Sequence, residues 1–464
     1  MSSAPPNAGN SLVDDLHGAF ADNTIWLDRD VSPSVPASFI RFQYLSEGGA
    51  NVLLSLSPDL SGGKTGYREE HKPLLEGKLL RLRKAVRGFI TAKDIFRFHQ
   101  SVIQYFFSAD EVVEYTLLRV NNSFLAVCNE NLQRLAEHQL RTADRTDGCL
   151  IGSQDDFISA LFVTDMTSHF GPTPDPRGVA FFPTAESSSQ RLVTVEFKPK
   201  WLIQSPTAPQ KARRCRTCAL RAKRQATKHR SSDKEFCPLA LVDSKGPSAH
   251  TLAESIVRAQ AYYHELDPAQ LDHLTKMLSS FIQYERTNDR LLQKLKNLQM
   301  RLSHPLSRTR KCEDVSDILI SMTLRDCSLL IRFDIASVGG EHVEPEAKLA
   351  DLDFKSHGLL VDHYCERNSA VLVETVKALD NPKLVDHELR AARDDLYDRL
   401  RTWSEAEEHL IRAGWYTGDE NCKLDREICV LWKERDGAET ESATEPEDAT
   451  RNRVVRSNSL KDKK

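Results

Sequence analysis

A chain of 464 residues, 40% hydrophobic and 28% charged, holds enough apolar material for two or three ordinary domains or one two-lobed enzyme with a shared core. It contains no run of eighteen apolar residues, so no membrane-spanning helix and no membrane partner are expected, and Met1–Asn10 lacks the basic start and apolar stretch of a secretory signal. The ten cysteines are scattered, as reduced thiols of a nuclear or cytoplasmic protein are. The net charge of −4 conceals a block from Lys198 to Arg230 with eleven Lys and Arg and no acid. Such a block implies an anionic partner, and nucleic acid and a polyphosphorylated small molecule both satisfy it.

Residues 1–35 are rich in Ser, Pro, Asn and Asp and read as loose. From Phe39 to Leu45 a strand pattern runs into Glu47-Gly48-Gly49-Ala50-Asn51, and Val52–Leu56 returns, which predicts a hairpin with a glycine turn. Lys78–Lys84 is a third strand. Helical spacing follows near Ala92–Phe107 and Ser123–Gln139. A loop rich in Gly, Pro and Ser, Gly171–Gln190, precedes a strand from Arg191 to Lys198 that Pro199 ends. Helices are predicted at Thr251–Leu266, Pro268–Glu285 and Asp289–Leu302, the last with a leucine stripe for core packing. Strands are expected at Asp326–Phe333 and Lys348–Phe354, and helix again at Ala370–Leu379 and His387–Ala413. The apolar pattern stops beyond Arg435, so 436–464 reads as disordered.

Four segments carry chemistry. On the strand Leu192–Lys198, alternation sends Val193, Val195 and Phe197 to one face and Thr194, Glu196 and Lys198 to the other, with Lys200 just past the proline. Asp326 heads an apolar strand, and Asp351 and Asp353 share a face of a short one. Carboxylates at the ends of adjacent strands suit phosphoryl transfer, where one orients or deprotonates a hydroxyl and others hold magnesium. The turn Gly48-Gly49-Ala50-Asn51 lets the backbone approach phosphates, and Arg81 lies on the next strand. Each segment alone has an ordinary structural explanation, a surface ion pair or a hairpin turn. Their order, glycine turn, basic strand, charged strand and acidic strands, is that of a two-lobed kinase.

Together these segments resemble the inositol-pentakisphosphate 2-kinase family. The resemblance rests on Glu196-Phe197-Lys198-Pro199-Lys200-Trp201, Cys215-Arg216-Thr217-Cys218, Phe236-Cys237-Pro238-Leu239, Asp326-Cys327-Ser328 and Asp351-Leu352-Asp353 with Lys355, in order between about 37 and 365. It implies an α+β, two-lobed kinase-like fold: a mainly antiparallel-sheet N-lobe (36–165), and a larger α/β C-lobe with a helical inositide-binding region (166–435). It implies ATP-dependent phosphorylation of the 2-hydroxyl of inositol pentakisphosphate, giving the hexakisphosphate, with ATP and Mg2+ required and the protein a monomer. By the same resemblance Asp326 engages the hydroxyl and Asp351 binds magnesium. Gly48, Gly49, Ala50, Asn51, Val52, Arg81 and Glu196 attend the nucleotide, and Asp165 and Met166 the adenine. Lys198, Lys200, Arg216 and Lys355 hold substrate phosphates. Arg224 is taken in preference to Lys223, Arg145 to Arg141, and Tyr364 to His363. Five phosphates carry about −8 to −10 at neutral pH, which calls for such a basic inventory.

Cys215-x-x-Cys218 has the spacing of half a zinc site, which His229 and Cys237 would complete, but unliganded thiols are the favoured reading. The rival functions are a kinase of another inositol phosphate and a nucleic-acid-binding protein using 198–230. The second is disfavoured because Trp201 is the block's only aromatic side chain for base stacking.

Overall fold

The computed structural model describes residues 24–27, 35–36, 40–58, 75–84, 90–137, 141, 157–167, 192–228, 236–244, 246–260, 262–288, 290–303, 312–335, 344–355, 387–418 and 429–431. Two antiparallel sheets organise them. The larger has seven strands: β1 (Thr24–Leu27), β2 (Val35–Pro36), β3 (Ile40–Glu47), β4 (Asn51–Pro58), β5 (Lys78–Arg83), β6 (Tyr115–Asn121) and β7 (Phe157–Thr164), in the order β2-β1-β6-β7-β5-β4-β3. β3 and β4 form the hairpin read from the glycine turn, with a bulge between Tyr44 and Ser46. Part of the segment expected to be loose joins this sheet, because Trp26 and Leu27 pair with Arg119 and Leu118.

Both faces of this sheet are covered. Leu80 and Leu82 of β5 pack with Phe42, Leu54 and Leu118 under Phe124, Leu125, Cys128 and Leu132 of helix α2 (Asn122–Glu137). Those helix positions form one stripe at helical spacing. The alternate residue Leu79 joins the second core with Tyr115, Leu161 and Val163. The same alternation sends Arg81 and Arg83 to the side that faces the rest of the molecule. Helix α1 (Ala92–Phe98), begun by a Thr91–Asp94 capping box, runs on through a π turn at His99–Ile103 and buries Ile95 and Phe98 in that second core.

The smaller sheet holds β8 (Leu192–Phe197), β9 (Ser328–Asp334) and β10 (Glu346–Ala350) in the order β10-β9-β8. Around it lie α3 (Arg216–Lys228), α4 (Ala249–Arg258), α5 (Pro268–Thr287), α6 (Leu291–Arg301), α7 (Cys312–Asp326) and α8 (His387–Arg412). The start of α5 follows the sequence closely: Asp267 and Gln270 cap it reciprocally and Pro268 opens it. β8 is an edge strand, and its open backbone is covered rather than exposed. Gln260 accepts from the Glu196 N–H at 3.1 Å and donates to the Glu196 carbonyl at 3.0 Å, while the Tyr262 hydroxyl donates to the Thr194 carbonyl at 3.0 Å.

A seam joins the two sheets. Val112 and Leu349 form an isolated parallel bridge, with Val113 N–H donating to Leu349 O at 3.0 Å and Leu349 N–H to Glu111 O at 2.8 Å. Lys294 of α6 meets Glu111 at 2.6 Å, and the Arg332 guanidinium donates to the Asp165 carbonyl. Among the described residues no helix is long and apolar enough to cross a membrane. The predicted helix at Ala370–Leu379 lies outside the described residues, as do 436–464.

Candidate active site

Between the two sheets lies a cavity of about 860 Å³. Leu53, Leu79, Val163, Met166, Phe236 and Leu330 form its apolar walls. Gly48, Asn51 and Arg81 enter from the large sheet, and Glu196, Lys198 and Asp351 from the small one. An apolar slot with a few convergent polar groups is the usual form of a small-molecule site.

The turn at the β3–β4 junction is pinned from behind. Gly48 N–H donates to Asn51 O at 2.9 Å, Lys84 N–H to Ala50 O at 3.0 Å, and the Lys84 ammonium to Gly48 O at 3.1 Å. Lys84 also pairs with Glu47, whose second cation, Arg141, approaches both carboxylate oxygens at 2.7 Å. The Glu47 side chain is 1% exposed. Burial opposes its ionisation, but hydrogen bonds and charge from Arg141 and Lys84 outweigh that and lower its pKa. A Cβ at Gly48 would meet no protein atom within 4 Å, so protein packing leaves the space beside the turn open.

At the other end, Asp326 closes α7 rather than opening a strand; β9 begins at Ser328. Its carboxylate accepts from Lys200 at 3.0 Å and Lys355 at 2.9 Å, and Lys198 stands 3.7 Å away while donating to the Asp326 carbonyl at 2.9 Å. Partial burial works against the ionised form. The Lys355 charge and hydrogen bond, then Lys198 and Lys200, overcome it and hold the carboxyl well below the usual carboxylate range. Lys198 also reaches Asp351 at 3.5 Å, which connects this cluster to the cavity wall.

Two residues here adopt left-handed backbone: Lys200 and Asp351, both at φ 56°. Such geometry costs a non-glycine residue on the order of 1 kcal/mol or more and collects at functional sites. After Pro199, the reversal at Lys200 turns its amine back onto Asp326. Buried Gln299 supports it by donating to the Lys200 carbonyl at 2.8 Å and the Leu324 carbonyl at 3.2 Å. The reversal at Asp351 separates two acids expected to share a strand face. β10 ends at Ala350, Asp351 is exposed and receives the Ser328 hydroxyl at 3.4 Å, and Asp353 turns inward to Arg81.

The remaining predicted residues divide. Arg81 lines the cavity but is committed to Asp353 and, at 3.2 Å, to the Tyr115 hydroxyl. Asn51 also lines it and accepts from Arg83 at 2.9 Å. Met166 is in the wall, whereas Asp165 lies behind it, with its carboxylate on Thr167 and its N–H on Gly77 O at 2.7 Å. Gly49 and Ala50 complete the turn, and Val52 is buried in the core of the large sheet. Arg216 stacks on Trp201 at 4.5 Å and pairs with Glu407 of α8 at 2.8 Å; Arg325 also lies over the Trp201 ring, at 3.7 Å. Arg224 is exposed on α3. Arg145, Tyr364 and His229 lie outside the described residues. Sequence reasoning missed Glu47, Lys84, Gln260, Gln299 and Glu407, because each acts on a partner distant in the chain and no local spacing marks it.

Two antiparallel sheets around a cleft with an apolar slot, a glycine turn and facing carboxylates define a kinase-like α+β protein. The family model for inositol-pentakisphosphate 2-kinase matches residues 44–368, most of the chain, and the protein belongs to that family. It is also similar to the inositol-pentakisphosphate 2-kinase of Yarrowia lipolytica, with 27% identity over 191 residues, 39% of this chain and 56% of the relative. The chain thus spans about half the length of the curated relative that it matches.

Proposed function

We propose that the protein transfers the terminal phosphoryl group of ATP to the 2-hydroxyl of inositol 1,3,4,5,6-pentakisphosphate. The observation that carries this reading is the Asp326 carboxylate ringed by Lys198, Lys200 and Lys355, beside the cavity that Lys198 and Asp351 line.

The three ammonium groups have a double use. In the free protein they stabilise ionised Asp326, which makes it a poor base. A substrate bearing five phosphates competes for the same amines. As the amines turn to phosphate oxygens, Asp326 loses its counter-charges, its proton affinity rises, and it accepts the proton of the 2-hydroxyl. Full basicity therefore develops only with substrate present. The apolar walls at Leu79, Val163 and Met166 suit an adenine ring, and the open space beside Gly48 suits phosphate oxygens.

Magnesium fits the donors present. Asp351 is exposed at the cavity wall, and the buried Asp353 Oδ1 accepts no hydrogen bond. These are hard oxygen donors of the kind that hold Mg2+ together with substrate phosphates. Asp351 would be the main ligand, and the ion when bound neutralises charge developing on the phosphates. Arg81 on Asp353 fixes that second carboxylate.

The nucleic-acid alternative is disfavoured by the use made of the basic block. Lys198 and Lys200 serve Asp326, Arg216 serves Glu407, and Arg214 and Arg221 are buried with donors on Trp415 O and Phe236 O. The test is incubation with ATP, magnesium and a set of inositol phosphates, with products resolved by position. Formation of hexakisphosphate from the pentakisphosphate lacking the 2-phosphate is expected. Failure to phosphorylate that isomer, or preference for another position, would overturn the reading.

A further inference from the structure

Cys215, Cys218, Cys237 and Cys429 are fully buried, and their Sγ atoms all lie within 4.8 Å of one another. They come from the segment before α3, the first turn of α3, the segment before Pro238, and a C-terminal stretch at 429–431. We propose that they bind one structural zinc ion as a tetrathiolate. The pair read from the sequence thus gains Cys429, where His229 was the expected fourth ligand.

Three observations carry this. The first is distance. A tetrahedral ion with Zn–S bonds of about 2.3 Å places its sulfurs about 3.8 Å apart. Cys215 and Cys237 stand at 3.8 Å, so small movements of the other sulfurs complete the shell. The second is the surrounding donors. Cys215 N–H points at the Cys429 sulfur at 3.3 Å, Cys218 N–H at the Cys215 sulfur at 3.5 Å, and the Arg221 guanidinium at the Cys218 sulfur at 3.9 Å. Donors aimed at sulfur stabilise thiolates and orient metal ligands. The third is convergence: three separate stretches of chain bring sulfur to one sealed point, where aliphatic side chains would pack at least as well without a metal.

The four thiols release their protons to solvent when the ion binds, and the complex carries a net −2 that Arg221 partly offsets. All four positions are filled by protein, which makes the site structural rather than catalytic. It fastens the 429–431 segment beneath α3. Nearby, Arg214 donates to Trp415 O at 3.1 Å and Arg216 pairs with Glu407, contacts that tie the 407–415 stretch to the same region.

The test is elemental analysis and sulfur-sensitive X-ray absorption on the full chain, purified without chelator or histidine tag. One zinc per chain with a first shell of four sulfurs is expected. Cys429→Ser should lose most of the metal, while His229→Ala and Cys128→Ser should keep it. Zinc only at trace level, a first shell containing nitrogen, disulfides among the four cysteines, or retention in Cys429→Ser with loss in His229→Ala would each overturn the proposal. Should Cys429→Ser fail to fold, the wild-type stoichiometry and first shell decide the matter alone.

Discussion

Asp326 and Glu47 are each a carboxylate surrounded by basic side chains, yet they do opposite work. Glu47 is 1% exposed, holds Arg141 through two parallel hydrogen bonds and ties Lys84 behind the glycine turn. Asp326 is 46% exposed, faces three lysines and shares one of them with Asp351. The planar guanidinium and the sealed setting make the first cluster a permanent fastening. Flexible amines reachable from solvent make the second exchangeable. Residue type is nearly the same in both; exposure and the choice of arginine or lysine decide whether a charge cluster builds the fold or waits for a ligand.

The largest expected effect breaks the second cluster. Asp326→Asn should lower turnover by about 10²–10⁴-fold, the usual worth of a general base, with the thermal midpoint little changed. Near-normal turnover with the pentakisphosphate would remove Asp326 from its role. Glu47→Gln should do the reverse. It leaves two buried cations without their counter-charge and should cost roughly 3–5 kcal/mol in denaturant unfolding. Because the Glu47 pKa is depressed, the contribution is present above the unfolded value and is lost as pH falls through the folded one. An unchanged midpoint would mean that the two clusters do not differ as described.

Lys200→Met and Lys355→Met should each weaken substrate binding by roughly 1–3 kcal/mol, seen mainly in KM and diminishing at high salt. A fall in kcat alone would assign these amines to Asp326 rather than to phosphate. The smallest effect comes from a third carboxylate, Glu285, which is buried with the Leu292 N–H at 2.7 Å as its donor. Burial pushes its pKa from 4.5 up to about 7. It binds its proton more tightly folded than unfolded, so stability should fall as pH rises across that window. Glu285→Gln should flatten this dependence and raise stability at neutral pH by about 1–2 kcal/mol. A variant with the same pH profile as wild type would refute the assignment.

What was legible in the sequence follows from local physics. The hairpin declared itself through strand periodicity and glycines, α5 through a helical stretch that begins at Pro268, and the face of β8 through alternation. The leucine stripe of α6 is core, as its spacing implied. Reversals and long-range closures were not legible. Nothing in Asp351-Leu352-Asp353 announces a left-handed residue that divides the two acids, and the end of α7 at Asp326 was read as the start of a strand. Arg81, expected on phosphate, rests on Asp353 because strand β5 and the turn after β10 meet only in the folded molecule. Cys429 lies too far from the other cysteines for spacing to reveal it.

The seam between the sheets has a mechanical consequence. Val112, Val113 and Leu349 are stitched by backbone bonds, and Lys294 and Arg332 brace the same side. The Arg81–Asp353 pair ties strand β5 to the turn after β10 as well, so the two walls are held at more than one point, like pages sewn rather than clipped. Walls held this way keep the apolar slot in register, and adjustment to a bulky anion falls to the side chains of Lys198, Lys200 and Lys355.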